Sequence, residues 1–326
     1  MRVFDSHLHL QRSTSFQYYD KIPSLLPDFL GIASTNPNDW NDVSILANKF
    51  PLQSPSSSTK VVPSYGYHPW WVKEDLGLDI TSTSSTTSSS SFSSSPPEWI
   101  NTLEKILLDN PHSVVGECGL DKITAKNEIK LFKAKLKEEE NDNAHVDDCS
   151  AFFSSCSTWQ GLYSKQKEVF RLQLQLASRM KRPVVVHCVA AYGDLYDILE
   201  AEMTLPHAIY MHAYGGSVDF AKRLMKLEKN YKNSKSNNSN SNSEDKKIFY
   251  FGFSAAINQS KKLLSVIESI PSDRLLLESD LEEIDHVDGC LKKMLHIMAD
   301  VRGVTAQDIA ETTYQNALNF YNINEY

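Results

Sequence analysis

The sequence predicts an α/β protein folded as one (β/α)8 barrel, the TIM barrel, interrupted by three polar low-complexity insertions. Three observations carry that prediction, and the first two are that eight short apolar runs of strand length recur along the chain and that helical stretches separate most of them. The third is that five of the eight runs, apart from the third with its His68, end on histidine, glutamate or aspartate, residues able to bind a cation. At 326 residues the chain has the length of one such barrel, and a 41% hydrophobic fraction suffices for its core once the insertions are set aside. An open doubly wound sheet is the structural rival, but no Gly-x-Gly-x-x-Gly follows any of the strands.

The first strand begins almost at the first residue, in Val3-Phe4-Asp5-Ser6-His7-Leu8-His9-Leu10. Strict alternation puts Asp5, His7 and His9 on one face and Phe4, Ser6 and Leu8 on the other. Two imidazoles about 7 Å apart on one face make a chelating pair where that face borders a pocket. A second strand covers 28–34, and Asn36 or Asn38 is the candidate cap for a helix over 39–49. The third strand, 60–67, ends at His68-Pro69-Trp70-Trp71. Residues 81–95 are almost all Ser and Thr, have nothing to bury, and are expected to be disordered.

A helix starts near Pro96-Pro97-Glu98, with proline suited to the first turn, and reaches about Asp109. The fourth strand, 113–117, leads into Cys118-Gly119-Leu120-Asp121, and 124–160 reads as a charged, irregular insertion. Apolar residues at 169, 170, 172, 174, 176 and 177 predict an amphipathic helix over 166–180. Strands at 182–187 and 208–212 follow, with a helix over 191–202 between them and another from Ser217. The third insertion is the Asn/Ser/Lys tract 230–247, also expected to be disordered. Strands seven and eight fall at 248–254 and 274–280, and helices at 287–301 and 305–321 close the chain.

Composition narrows the functional classes. A net charge of −8 argues against a broad nucleic-acid-binding face, though not against a site that grips a few phosphates. There is no basic-then-apolar leader and no apolar run of membrane length, so neither secretion nor membrane insertion is expected. The five cysteines, at 118, 149, 156, 188 and 290, are odd in number and lack Cys-x-x-Cys spacing. That usage predicts reduced thiols and an intracellular residence, in cytoplasm or nucleus.

In a barrel the active site lies where the strands end. Those ends supply His7 and His9 from the first strand, Glu117 from the fourth, His187 from the fifth, His212 from the sixth and Asp280 from the eighth. Each alone has a plainer reading, a histidine bonded to a carbonyl or a carboxylate in an ion pair. Together, four imidazoles and two carboxylates have the composition of a site for two divalent cations. Trp70-Trp71 is either a stacking platform for a base or an apolar lid on the rim, and the lysine-rich runs read as solvated.

Six motifs occur in order: Asp5-Ser-His7-Leu-His9, Gly66-Tyr-His68-Pro69, Val115-Gly-Glu117-Cys-Gly-Leu-Asp121, Pro183-Val-Val-Val-His187-Cys, Met211-His212-Ala-Tyr-Gly-Gly and Leu277-Glu278-Ser-Asp280. In these, and in Ile309-Ala-Glu…Asn316-Ala near the end, the chain resembles the TatD-related deoxyribonucleases of the metal-dependent hydrolase superfamily. The resemblance spans nearly everything outside the insertions. It implies that His7, His9, Glu117 and Asp280 hold one cation and Glu117, His187 and His212 a second, with Glu117 bridging. It makes His68 a pocket residue that contacts substrate, and implies 3′–5′ exonuclease action on DNA or oligonucleotide ends. Two cations about 3.5–4 Å apart lower the pKa of a shared water, and Asp280 is placed to accept its proton. Magnesium or zinc is expected, with manganese also suitable. Asp121 is expected to orient the loop after the fourth strand, and Asp5 to hydrogen-bond a ligand histidine.

The departures bear on substrate. Val189 stands where the resemblance leads one to expect an arginine able to grip phosphate, and Leu281-Glu282-Glu283 stands in place of Ala-Pro. After His212 the chain reads Ala213-Tyr214-Gly215 rather than Cys-Phe-Ser. Two other functions are therefore kept: hydrolysis of a small amide, ester or lactone, and a partner-binding role on a catalytically reduced scaffold.

Overall fold

The computed structural model describes residues 1–14, 18–53, 59–73, 97–141, 158–236, 247–258 and 260–323. Its eight strands are β1 (Phe4–Leu8), β2 (Phe29–Ala33), β3 (Lys60–Tyr65), β4 (Val114–Asp121), β5 (Val184–Val189), β6 (Ile209–Met211), β7 (Phe249–Phe253) and β8 (Leu275–Leu277). They form one parallel sheet in chain order. The main helices are α1 (Tyr18–Lys21), α2 (Trp40–Lys49), α3 (Glu98–Asp109), α4 (Lys122–Asn141), α5 (Trp159–Met180), α6 (Tyr192–Ala201), α7 (Val218–Ser236), α8 (Leu263–Ser269), α9 (Val287–Arg302) and α10 (Ala306–Tyr321). None of these is long and apolar enough to cross a membrane.

Apolar residues on both faces of the strands account for this arrangement. In β5, Val184 and Val186 face the helical layer, while Val185 joins a separate inner cluster. That inner cluster takes one residue from every strand (Phe4, Phe29, Val62, Val114, Val185, Tyr210, Tyr250 and Leu276), which only the inside of a barrel permits. Its floor is the end of α10: Tyr321 stacks on Phe4 at 4.9 Å and its hydroxyl donates to the Ser6 carbonyl at 2.6 Å. A Thr305–Asp308 capping box fixes where α10 starts.

The barrel is nearly closed. β8 and β1 share no regular ladder; instead Asp280 N–H donates to His7 O and His9 N–H to Leu281 O, both at 2.9 Å. The Asp5 carboxylate completes the seam by accepting Ser279 N–H at 2.9 Å and Ser279 Oγ–H at 2.5 Å.

Several sequence expectations need correction. Strict alternation along the first strand fails, because Phe4 lies inside the barrel and Leu8 in the outer layer although both are even-numbered. The β1–β2 register shifts between Asp5 and Leu8, and this irregularity turns the strand over. Asn36 does not cap α2; its side chain accepts Asn38 N–H, and the Asp39 carboxylate ties down Thr35 and Asn36. The 124–160 segment is not irregular throughout: α4 occupies its first half and α5 begins at Trp159. Helix α7 likewise continues to Ser236, inside the third predicted insertion. Residues 81–95, 142–157 and 237–246 lie outside the described residues. Helix α8 is an element the sequence reading does not include.

Candidate metal centre

All six strand-end residues meet at the C-terminal rim, and Glu117 is at their centre. Its Oε2 lies 3.2 Å from His7 Nε2 and 3.3 Å from His9 Nε2. Those two nitrogens are 3.2 Å apart, and Asp280 Oδ1 stands 3.7 and 3.6 Å from them. A cation with bonds of about 2.1 Å holds tetrahedral ligands about 3.4 Å apart, and these five separations bracket that value. The other oxygen, Glu117 Oε1, faces a second set: His212 Nε2 at 2.7 Å, His187 Nδ1 at 2.9 Å and His68 Nε2 at 3.0 Å. His187 Nδ1 and His212 Nε2 are themselves 3.2 Å apart.

The donor chemistry fits cations. His9 Nδ1 donates to Ala33 O at 2.7 Å, which turns Nε2, the atom that carries the lone pair whenever the ring is neutral, into the cluster. His7 Nε2 stands 3.2 Å from it, a separation that calls for a proton or a cation between the two rings. Burial, with the neighbouring His212, pushes His7 down to about 4, and burial pushes His68 down to about 4, so both rings are neutral at ordinary pH. Burial alone would raise Glu117, but His212, His68 and His7 outweigh it and hold the carboxyl well below its usual range. The other rings shift the opposite way: burial alone would lower His212, but Glu117 outweighs it and pushes it up to about 10, and His9 and His187 are also raised by their carboxylate neighbours, so a cation at this site would compete with protons.

Local backbone explains how the side chains reach one place. The two strands with register irregularities are β1, at His7, and β4, between Val115 and Cys118, where Glu117 lies. Such bulges re-aim side chains next to active sites. Gly119 has φ +146°, and a Cβ there would fall 2.0 Å from His187 O, so only glycine lets β4 lie this close to β5. Asp280 takes a left-handed φ of +55°, in the loop that closes the seam.

A second ring of groups supports the first. Asp121 Oδ2 lies 3.5 Å from His187 Nε2 and accepts the Trp70 indole N–H at 2.7 Å. Its Oδ1 accepts the N–H groups of Ile123 and Thr124 at 3.0 and 2.8 Å, starting α4, so it does organise the loop after β4. Glu278, to which the sequence alone assigns no role, accepts Ala213 N–H at 2.6 Å and the Tyr210 hydroxyl, and stands 3.8 Å from His212 Nδ1. Burial pushes Glu278 up to about 8 and Asp5 up to about 7. Asp5 touches no ligand ring: its partners are Ser279 and, at 3.4 Å, the His7 backbone N–H. The expected carboxylate–histidine bond is thus replaced by a seam contact.

His68 is the residue whose place the sequence underdescribes. It ends the third apolar run as the other candidates end theirs, yet the reading assigns it to substrate; the structure puts its Nε2 against Glu117. The paired tryptophans differ in their surroundings. Trp71 packs on the core beneath Arg12, whereas Trp70 is 47% exposed and lies edge-on to His68 and His187.

An eight-stranded parallel barrel gathering imidazoles around one two-faced carboxylate defines a metal-dependent hydrolase. The chain belongs to the TatD related DNase family, whose profile matches residues 4–322. It is 24% identical to the Cut9-interacting protein scn1 of Schizosaccharomyces pombe over 374 residues, covering 98% of this chain and 99% of that protein. It is 27% identical to the uncharacterized deoxyribonuclease YMR262W of Saccharomyces cerevisiae over 203 residues, 57% of this chain and 58% of that one. Among solved structures, YJJV, a TatD homologue from Escherichia coli, superposes with a TM-score of 0.62 at 18% identity over 99% of this chain and 98% of its own. A TatD family hydrolase from Entamoeba histolytica gives 0.61 at 14% identity, over 98% and 97%. These last two likenesses concern the fold alone.

Proposed function

We propose that this protein is a divalent-metal-dependent phosphodiesterase that removes nucleotides from nucleic-acid ends, a deoxyribonuclease of the 3′–5′ exonuclease type. The observation that carries this reading is Glu117, whose two oxygens each serve a separate nitrogen set. His7, His9, Glu117 and Asp280 would hold one cation, and Glu117, His187 and His212 the other, with His68 beside the second. Bound cations of this kind, magnesium, zinc or manganese, acidify a water and stabilise the charge that develops on phosphodiester oxygens. Asp280, its side chain 13% exposed, opens to solvent more than Glu117 and is the carboxylate that receives the proton of the attacking water. His9, through Ala33 O, and His187, through Asp121, keep their ligating nitrogens aimed into the cluster. Family membership and the relative named as a deoxyribonuclease support the substrate class. The free thiols of Cys118, Cys188 and Cys290 support an intracellular residence.

The test is turnover of end-labelled DNA and RNA by the metal-loaded protein, beside a panel of amides, esters and lactones. Stepwise loss of 3′ nucleotides, abolished by chelation, is the expected result. Amide or lactone turnover without phosphodiester cleavage would replace the reading with the small-molecule one, which the exposed Val189 at the rim favours. One observation favours a partner-binding role: the relative matched along its whole length is named for an interaction with Cut9. Wild-type behaviour in cells from His187→Ala and Asp280→Ala variants would establish that role instead.

A further inference from the structure

A single exposed apolar side chain needs no partner to explain it, but an exposed indole held rigidly at the mouth of a site offers a flat face on which a ring can stack. Trp70 is 47% exposed, yet it is not free to move. Its Nε1–H is spent on Asp121 Oδ2 at 2.7 Å, its backbone N–H on His68 Nδ1 at 3.2 Å, and its ring meets those of His68 and His187 at centroid distances of 4.6 and 5.7 Å. An exposed ring held on three sides has already lost the conformational entropy that a stacking partner would otherwise have to remove. The neighbouring wall is apolar as well. Val189, 37% exposed at the end of β5, is the register partner of Asp121, the residue that holds the indole. A neutral, flat group suits this side of the mouth better than a phosphate does.

We propose that Trp70 is the stacking platform for the base of the terminal nucleotide, placing that nucleotide's phosphate at the neighbouring His187 side of the metal centre. The inference rests on the phosphodiesterase reading and adds the residue that recognises the substrate's planar part. Base–aromatic stacking tolerates any base, so the platform sets a requirement for a base without setting a sequence.

The rival role is purely positional, with Trp70 serving to hold Asp121 behind His187. Phenylalanine separates the two, since it keeps a stacking face and loses the indole N–H. The experiment uses the full chain loaded with manganese and fluorescent single-stranded oligonucleotides whose terminal linkages are phosphorothioate, so that binding is read by anisotropy without cleavage. One oligonucleotide ends in a normal nucleotide and the other in an abasic residue. Wild type should bind the base-bearing end roughly tenfold tighter or more. Trp70→Ala should erase that ratio, and Trp70→Phe should keep most of it. A ratio that survives Trp70→Ala, or is lost equally in both variants, overturns the inference while cleavage of unmodified DNA leaves the phosphodiesterase reading standing. A wild-type protein that binds neither oligonucleotide overturns both together.

Discussion

The two ends of this barrel are built on opposite principles. At the floor, Phe4, Phe29, Phe320 and Tyr321 pack ring on ring, and the one buried hydroxyl among them, that of Tyr321, reaches the Ser6 carbonyl. At the rim, buried polar groups crowd one small volume, and ring nitrogens of neighbouring histidines stand 3.2 Å apart around the Glu117 carboxylate. The floor lowers the free energy of the fold through burial, at about 25 cal/mol per Å² of apolar surface. The rim buries polar groups that hold one another through Glu117, and a cation bound there would add its own ligand bonds to that set. The same strands run through both ends, so the apolar end keeps the polar one in shape.

Removing the central carboxylate gives the largest expected effect. Glu117→Ala should lower turnover by about a thousandfold or more, since it disconnects both nitrogen sets. It should also abolish the rise in melting temperature on metal addition, which for wild type at 100 times Kd corresponds to about 2.7 kcal/mol. The metal-free variant should melt lower than metal-free wild type, because the histidines that Glu117 pairs with lose their buried counter-charge; an unchanged melting temperature would mean that the rim adds nothing to the fold without a cation.

The floor should respond in stability alone. Phe320→Ala is expected to destabilise by about 3–5 kcal/mol in denaturant unfolding, with metal stoichiometry unchanged in the folded protein. Loss of bound metal from that variant while still folded would show that the two ends are coupled.

A smaller, pH-dependent effect belongs to the side of the barrel. Arg274 meets Glu228 through two bonds, at 2.7 and 3.0 Å, tying α7 to the start of β8. Burial alone would raise Glu228, but Arg274 outweighs it and holds the carboxyl down to about 2, against an ordinary 4.5. A lowered pKa means that this contribution is complete above about pH 4.5 and is lost as pH falls toward 2. Arg274→Met should therefore flatten the acid limb of stability relative to wild type, with the difference shrinking as pH falls. A constant difference from pH 7 to pH 2.5 would contradict the assignment.

What the sequence made legible was whatever is local. Each strand is a short apolar run, each candidate ligand follows one, and the 3.6-residue pattern of α5 is plain in Val169, Phe170, Leu174 and Ala177. Interactions between distant residues set the rest. The turn-over of β1 depends on its partners: Asp5 bonds to Ser279, 274 positions away, and no pattern within β1 encodes that. His68 was undervalued because its significance lies in its distance from Glu117 rather than in its neighbours. Helix α4 hid for a different reason. Of its described side chains only Ala125 and Ile129 are buried, so its apolar face is slight and its helix-forming lysines and glutamates read as a charged loop.

Anomalous diffraction from crystals grown with manganese or zinc addresses the central claim most directly. Two peaks at the rim are predicted, one among His7, His9, Glu117 and Asp280, the other among Glu117, His187 and His212, each bound to a different oxygen of Glu117. A single ion, or ions that leave Glu117 uncoordinated, would contradict it.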